Sequence, residues 1–324
     1  MTKQGVITVV SIDAISQLPI KNVEYLIIDY DTHELVEKLS TNENGSATSS
    51  LLDYGKTYVI RQHRVKPPYD YSKEVEQLLT IDNEIHHFIA EHSWLDYIKE
   101  VSRTADGELI IREVYIPVPT ILQKPELPNG CEITSLTAVL NYYGYSVTKT
   151  EMSDDFLPKQ PFVYRDGKLY GADPYLAYSG NPRNSYGTGS ANYGGWFTYP
   201  PPVIEAAKKY IMSSEGVHSA VDISGSDPED IIELLNQGIP VVTWMTLDLD
   251  EPRFLGYSWY LHDSEIIFNP PVNLHATVIN GYVDDRLHVM DPLKGQVIYD
   301  ANTFFNSYDA LGSHAMIVVN QIHD

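Results

Sequence analysis

QKPELPNGCEITSLTAVLNYYG, residues 123 to 144, is the stretch from which the rest of the chain is read. It holds the single cysteine of the 324 residues, Cys131, at the point where a helix should begin. Pro128, Asn129 and Gly130 make a turn, and Asn129 has a side chain able to cap a helix. Ile133, Leu136, Val139, Leu140 and Tyr143 then recur with helical spacing until Gly144 ends the run. The thiol is thus set at the positive end of a helix dipole, a position that favours the reactive thiolate. A lone cysteine can equally be a small buried hydrophobe. Which of the two applies depends on what the remaining sequence can bring to it.

Acyl chemistry at a thiol needs a base, a group that orients the base, and donors for the developing oxyanion. His275 stands inside an apolar strand pattern, LHATVINGYV (Leu274 to Val283), where its neighbours are hydrophobic. Asp291 closes the following strand pattern, RLHVMD (Arg286 to Asp291). A tight turn at Asp284-Asp285 pairs residues whose numbers sum to about 569, which sets His275 within a few positions of Asp291. Gln123, eight residues before Cys131, can offer a side-chain amide beside the Cys131 N–H. Alone, His275 would read as a satisfied core histidine and Gln123 as a surface glutamine.

From Pro117 onward, helix patterns at 131–143, Pro202 to Met212 and Asp227 onward precede strands at Ile239 to Leu249, 274–283, 286–291, Gly295 to Asp300 and His314 to Val319. Helices followed by a meandering, largely antiparallel sheet is an α+β plan. The intervening Phe156 to Pro201, rich in Gly, Pro, Tyr, Asn and Ser, is too long for an idle connection. It reads as an ordered loop anchored by Trp196 and Phe197. The Asn181 to Tyr199 segment with Tyr193 and Trp196, together with Gly130 and Trp244, is the expected lining of a substrate cleft.

VPTILQKPELPNGCEITSLTAVLNYYG, GNPRNSYGTGSANYGGWFTYPPPVIEAAKKY, GIPVVTWMTLDL, NLHATVINGYVDDRLHVMDPLKG and GSHAMIVV resemble, in this order, the papain-like bacteriocin-processing peptidases. The likeness is greater to their stand-alone, C-thirty-nine-like relatives, and it extends over residues 120 to 324. It implies a papain-like fold with Cys131 as nucleophile, His275 as base and acid, Asp291 as orienter and Gln123 as oxyanion donor. It also implies a peptide or protein substrate. No transporter segments accompany these motifs, so cleavage of a double-glycine leader during export does not follow.

Residues 5 to about 90 read as short strands separated by turns, the pattern of a small β-sandwich. Tyr71 to Phe88 fits a helix or a last strand. ITVVSIDAISQLPIKNVEYLIID and LSTNENGSATSSLLDYGKTYVI resemble the prealbumin-like, Cna-B-type repeats of Gram-positive adhesins and pilins. Many such repeats carry an internal lysine–asparagine cross-link promoted by an acid. Ser11 stands at the position matching the lysine and Gln62 at that matching the acid, so no cross-link is expected. The domain then reads as a spacer or as a module for a surface ligand. The expected organisation is a sandwich over 1–92, a structured connector over 93–116 with a hairpin turn at Asp106-Gly107, and a peptidase domain over 117–324.

Forty-four acidic against 22 basic residues give a formal charge of -22, which disfavours nucleic acid as a partner. No apolar run has the length of a membrane span, and the opening MTKQGVITVV lacks the features of a signal peptide. His86, His87 and His92 have no metal-ligand spacing and read as surface histidines. No cofactor is expected. A cysteine peptidase at the bacterial surface or exterior is the leading expectation, an address that rests on the adhesin-like resemblance. The alternatives are a binding protein with an idle papain-like domain, and a thiol amidase or acyltransferase acting on a non-peptide amide.

Overall fold

The computed structural model describes residues 3–73, 75–105, 108–185, 194–262 and 264–321. The chain divides into two compact units, Met1–Ile98 and Lys99–Asp324. The expected turn at Asp106-Gly107 lies outside the described residues.

The first unit contains β1 (Gln4–Asp13), β2 (Glu24–Asp29), β3 (Leu35–Ser40), β4 (Ser46–Thr48), β5 (Leu52–Asp53), β6 (Thr57–Arg64), β7 (Glu76–Thr80) and β8 (Ile85–His92). One sheet carries β4 and β5 antiparallel to β1, with β8 parallel to it; the other has the order β3-β2-β6-β7. Alternation sets the inward faces: Ile7, Val9, Ser11 and Asp13 of β1 are buried while Val6, Thr8 and Val10 are more open. Those faces meet where Tyr25 of β2 packs edge-to-face on Phe88 of β8 at 5.8 Å. Tyr71 to Phe88 supplies β7 and the first half of β8, because Phe88, Ala90 and His92 alternate inward and need a strand.

The interior of this unit is partly polar. Ser11 Oγ and the Tyr25 hydroxyl share a 2.7 Å hydrogen bond. Gln62 Oε1 accepts from Ser72 N and Oγ at 3.0 and 3.2 Å. Its amide nitrogen lies 3.4 Å from His92 Nδ1. His92 is therefore not a surface histidine: it is fully buried, and its Nδ1 also meets the Asp70 carbonyl at 3.0 Å. Strand alternation turns it inward with Phe88 and Ala90, a consequence of register that composition could not supply.

The second unit opens with β9 (Ile98–Arg103) and β10 (Leu109–Tyr115), then α1 (Cys131–Tyr142), the short α2 (Lys149–Glu151) and a π-helical turn, Met152–Phe156. β11 (Lys159–Gln160), β12 (Val163–Arg165), β13 (Lys168–Gly171) and β14 (Tyr178–Ser179) follow within the long Gly- and Tyr-rich segment. After it come α3 (Pro200–Ser213), β15 (His218–Asp222), α4 (Pro228–Asn236), β16 (Val241–Thr246), β17 (Trp259–Leu261) and β18 (Ile267–Phe268). The chain ends with β19 (Leu274–Val283), β20 (Arg286–Asp291), β21 (Gly295–Asp300), α5 (Ala301–Ala310) and β22 (Ala315–Asn320). β9 and β10 belong to the main sheet of this unit instead of standing apart as a connector.

That sheet has the order β15-β22-β16-β19-β10-β9, with β20 and β21 continuing from β19. β19 is its pivot. Its first half pairs with β16 from Thr246↔Leu274 to Val241↔Ile279, and its end pairs with β10 from Tyr115↔Gly281 to Glu113↔Val283. The changeover falls at Gly281, whose φ is +153° and where a Cβ would lie 2.0 Å from the Val114 carbonyl oxygen. Only glycine lets the two backbones approach so closely. Between β21 and β22 the sequence reading has no element, yet α5 occupies the gap. Its cap is local: the Asp300 carboxylate accepts from Thr303 N at 2.8 Å.

Candidate active site

Cys131 is the first residue of α1. A single apolar stripe underlies the sequence reading of this helix, but every residue from Cys131 to Leu140 is buried, Glu132, Thr134, Ser135 and Thr137 included. The helix is central, and its polar residues bond locally: Thr137 Oγ1 donates to Ile133 O at 2.6 Å, and Ser135 Oγ to the Ala276 carbonyl of β19 at 3.2 Å. Asn129 does not cap it. Gly130 occupies the cap position without a side-chain bond, while Asn129 Nδ2 donates to the Gly195 carbonyl at 2.6 Å. The Tyr178 hydroxyl donates to Asn129 O at 2.6 Å, so the turn before the cysteine is laced to the long segment on two sides. Gly130 is itself buried, and a Cβ there would come within 2.7 Å of Leu127 Cβ. Its smallness serves the turn.

His275 and Asp291 approach directly, with Nε2 to Oδ1 at 2.8 Å and both side chains buried. An ionised carboxylate only accepts, so Nε2 carries the proton and Nδ1 is left free to accept. The Asp291 carboxyl is held below its ordinary range. Burial pushes it up, but the hydrogen bond and charge of His275, the Leu293 amide and Lys294 outweigh burial. Leu293 N donates to Oδ1 at 2.7 Å and the Tyr299 hydroxyl to Oδ2 at 3.2 Å. The β19–β20 ladder reaches Val278↔Met290 with a bulge near Ile279, so His275 and Asp291 meet beyond its last paired residues. The Cys131 sulfur lies against the same strand, where the backbone of Ala276, the residue after His275, forms a hydrogen bond to it.

Gln123 is 2% exposed and is fixed beside Asp291 by its N–H, which donates to the Pro292 carbonyl at 2.8 Å. Its Nε2 donates to the Pro128 carbonyl at 2.6 Å, and its Oε1 is buried without a hydrogen-bond partner among the described residues. Gln123 is thus brought to the turn that carries Cys131. In this structure its amide is bonded to that turn's backbone.

Glu132 is the residue that sequence reasoning missed. It is 1% exposed; one carboxyl oxygen lies 3.4 Å from Cys131 Sγ, and the other accepts from Thr198 N at 3.0 Å. Burial raises its pKa to about 7, against backbone and Cys131 hydrogen bonds that pull it down. The Cys131 thiol does not have the lowered pKa that a helix start alone would give. Burial drives it well above the ordinary value and the Glu132 charge adds to this, while backbone hydrogen bonds from Ala276 and Glu132 act in the opposite sense. The signal for Glu132 was its place directly after the cysteine; its burial was not visible there.

Two expected cleft residues belong to the interior. Trp244 is fully buried and its Nε1 donates to Thr198 O at 2.8 Å. Every residue of β16 is buried, the indole of Trp244 among them. Trp196 is 5% exposed and packs on Tyr257 and Trp259 at 5.2 and 5.4 Å. Tyr193 lies outside the described residues. No group of three or more His, Cys, Asp or Glu suited to a metal ion occurs among the described residues.

Fold and site together define an α+β protein in which a cysteine heads a buried central helix, set against an antiparallel sheet bearing a His–Asp pair. The chain belongs to the Peptidase_C39 like family, whose model matches residues 115–316. It is similar to the uncharacterized protein YvpB of Bacillus subtilis (strain 168), 27% identical over 199 residues, covering 61% of this chain and 72% of that protein. A crystal structure of a candidate C39-like peptidase from Bacillus anthracis is 28% identical, with a TM-score of 0.54, over 64% of this chain and 98% of that one. A minor pilin of Streptococcus agalactiae, GBS52, matches 32% of this chain and 50% of its own at 17% identity, with a TM-score of 0.26, too slight to assign a fold. No helix among the described residues is long and apolar enough to cross a membrane.

Proposed function

We propose that the second unit is a cysteine peptidase acting through Cys131, His275 and Asp291, with Gln123 and the Cys131 amide as oxyanion donors. The observation that carries this reading is the buried 2.8 Å His275–Asp291 contact on the strand that also meets the Cys131 sulfur. Asp291 fixes the proton on Nε2, so Nδ1 can take the thiol proton. The thiolate attacks the scissile carbonyl, and the first-turn amides of α1, which lack helical partners, face the oxyanion. His275 returns the proton to the leaving amine, and water then hydrolyses the thioester. For Gln123 to join, its amide must turn from the Pro128 carbonyl toward the oxyanion.

A peptide or protein is the substrate of this reading. The first unit is read as a Cna-B-like spacer or ligand module that places the enzyme at the cell surface or outside, supported by the motif resemblance of its first two segments. The raised Cys131 thiol favours one competitor, a binding protein with a silent peptidase-like unit. Incubation of the chain with a proteome-derived peptide library, followed by mass spectrometry, tests the proposal. Cleavage that is lost in Cys131→Ala supports it. Cleavage that survives in Cys131→Ala, or none at any pH from about 5 to 9 around the histidine range, overturns it.

A further inference from the structure

We infer that Glu132 is a positioning residue that gates the Cys131 thiol. Neutral, it supports thiolate formation; ionised, it suppresses it, while its second oxygen tethers the segment ending at Thr198 to the head of α1. The inference rests on the reading of Cys131 as a nucleophile only for its consequence for hydrolysis; the coupling itself is a property of the folded site.

The geometry is closed on both sides. Oε2 is 3.4 Å from Sγ and Oε1 is 3.0 Å from the Thr198 amide. Thr198 cannot drift, because its Oγ1 donates to the Pro174 carbonyl at 2.8 Å and its own carbonyl accepts from Trp244. Facing the carboxyl are Cys131 from its own helix and Thr198 from the segment before α3, and the Ala276 backbone of β19, one residue past His275, bonds the same sulfur. Among the described residues, no basic side chain contributes to holding the carboxyl ionised. Two adjacent acids in one buried site cannot both lose protons at little cost, so their titrations are coupled. When the thiol proton passes to His275, a protonated Glu132 can donate its O–H to the thiolate. An ionised Glu132 instead presents a second negative charge to it.

Glu132→Gln is nearly isosteric, keeps an oxygen for Thr198 N and removes the charge. The test is the rate of Cys131 alkylation by iodoacetamide across pH; the chain has no other cysteine, and the readout needs no substrate. Since reactivity follows the thiolate fraction, E132Q should react about tenfold or more faster than the unmodified chain near pH 8, and within about threefold near pH 6. A rate ratio that does not change with pH would overturn the gate and leave only a structural tether. Should E132Q not fold, carbon-13 NMR of the unmodified chain supplies the second measurement. A Glu132 carboxyl titrating near pH 7, and shifted in Cys131→Ser, supports the coupling; titration with the exposed glutamates overturns it. A chain that shows the gate but cleaves nothing would refute the peptidase and spare this inference.

Discussion

Replacing Asp291 separates orientation of His275 from charge at His275. In Asp291→Ala, the His275 Nε2–H and the Leu293 N–H lose their buried acceptor. Each orphaned donor costs about 1–3 kcal/mol, so the second unit should lose about 2–6 kcal/mol. For a unit of this size that is a drop of roughly 5–20 °C in melting temperature. Asp291→Asn keeps an oxygen for both donors, removes the charge and puts an amide nitrogen where the Tyr299 hydroxyl had its acceptor. A hydrogen bond to a charged group is worth about 1.5–3 kcal/mol against about 0.5–1.5 for a neutral one, so the thiolate–imidazolium pair loses about 1–1.5 kcal/mol of support, roughly five- to tenfold. The Cys131 thiolate should fall with it. Alkylation of Cys131 near neutral pH, with differential scanning calorimetry, measures both effects. The variants also separate in acid. The folded carboxyl titrates below its unfolded value, so its stabilisation is present above the ordinary carboxylate pKa of about 3.9 and is lost as pH falls through the folded one. D291N should lack that acid limb. If both variants alkylate and melt like the unmodified chain, the His275–Asp291 contact supports neither the site nor the fold.

Two further expectations concern the buried interior. Burial lowers the His92 pKa against the Asp70 carbonyl and charge, which raise it. Below about pH 6.5 the unfolded chain therefore takes up a proton that the folded unit resists, and stability falls until the folded pKa is reached. Amide exchange in β6 and β8 should accelerate over that window, and His92→Gln should abolish the pH dependence; an unchanged dependence would show that another group causes it. Trp244→Ala should cost about 3–5 kcal/mol, read as a lower urea midpoint at constant slope, because the fully buried indole leaves a cavity and an unpaired Thr198 carbonyl. An unchanged midpoint would return Trp244 to the surface.

The local features of this chain were legible in its sequence because short-range rules govern them. α1 starts at Cys131 and gives way at Tyr143-Gly144, β19 to β21 are short apolar or β-branched runs between tight turns, and α4 starts at Pro228 behind Asp227. α5 had a local signal too, Asp300 three residues before Thr303, but its apolar residues mixed with Asn, Ser and Tyr concealed the period. Burial was a different matter. Glu132 and Trp244 could each be placed on an element, yet which side of that element would be covered depended on partners distant in the chain, as did the burial of His92 and of Trp196 in its loop.

At the stretch 123–144 the sequence by itself determined that a cysteine would head a helix, and it brought His275 and Asp291 to neighbouring strand ends. Only the tertiary structure decided the state of that cysteine. A helix dipole acts within one turn and can be read from position. Desolvation and the nearby Glu132 carboxyl depend on everything packed around the helix, and here they set the thiol in the opposite direction.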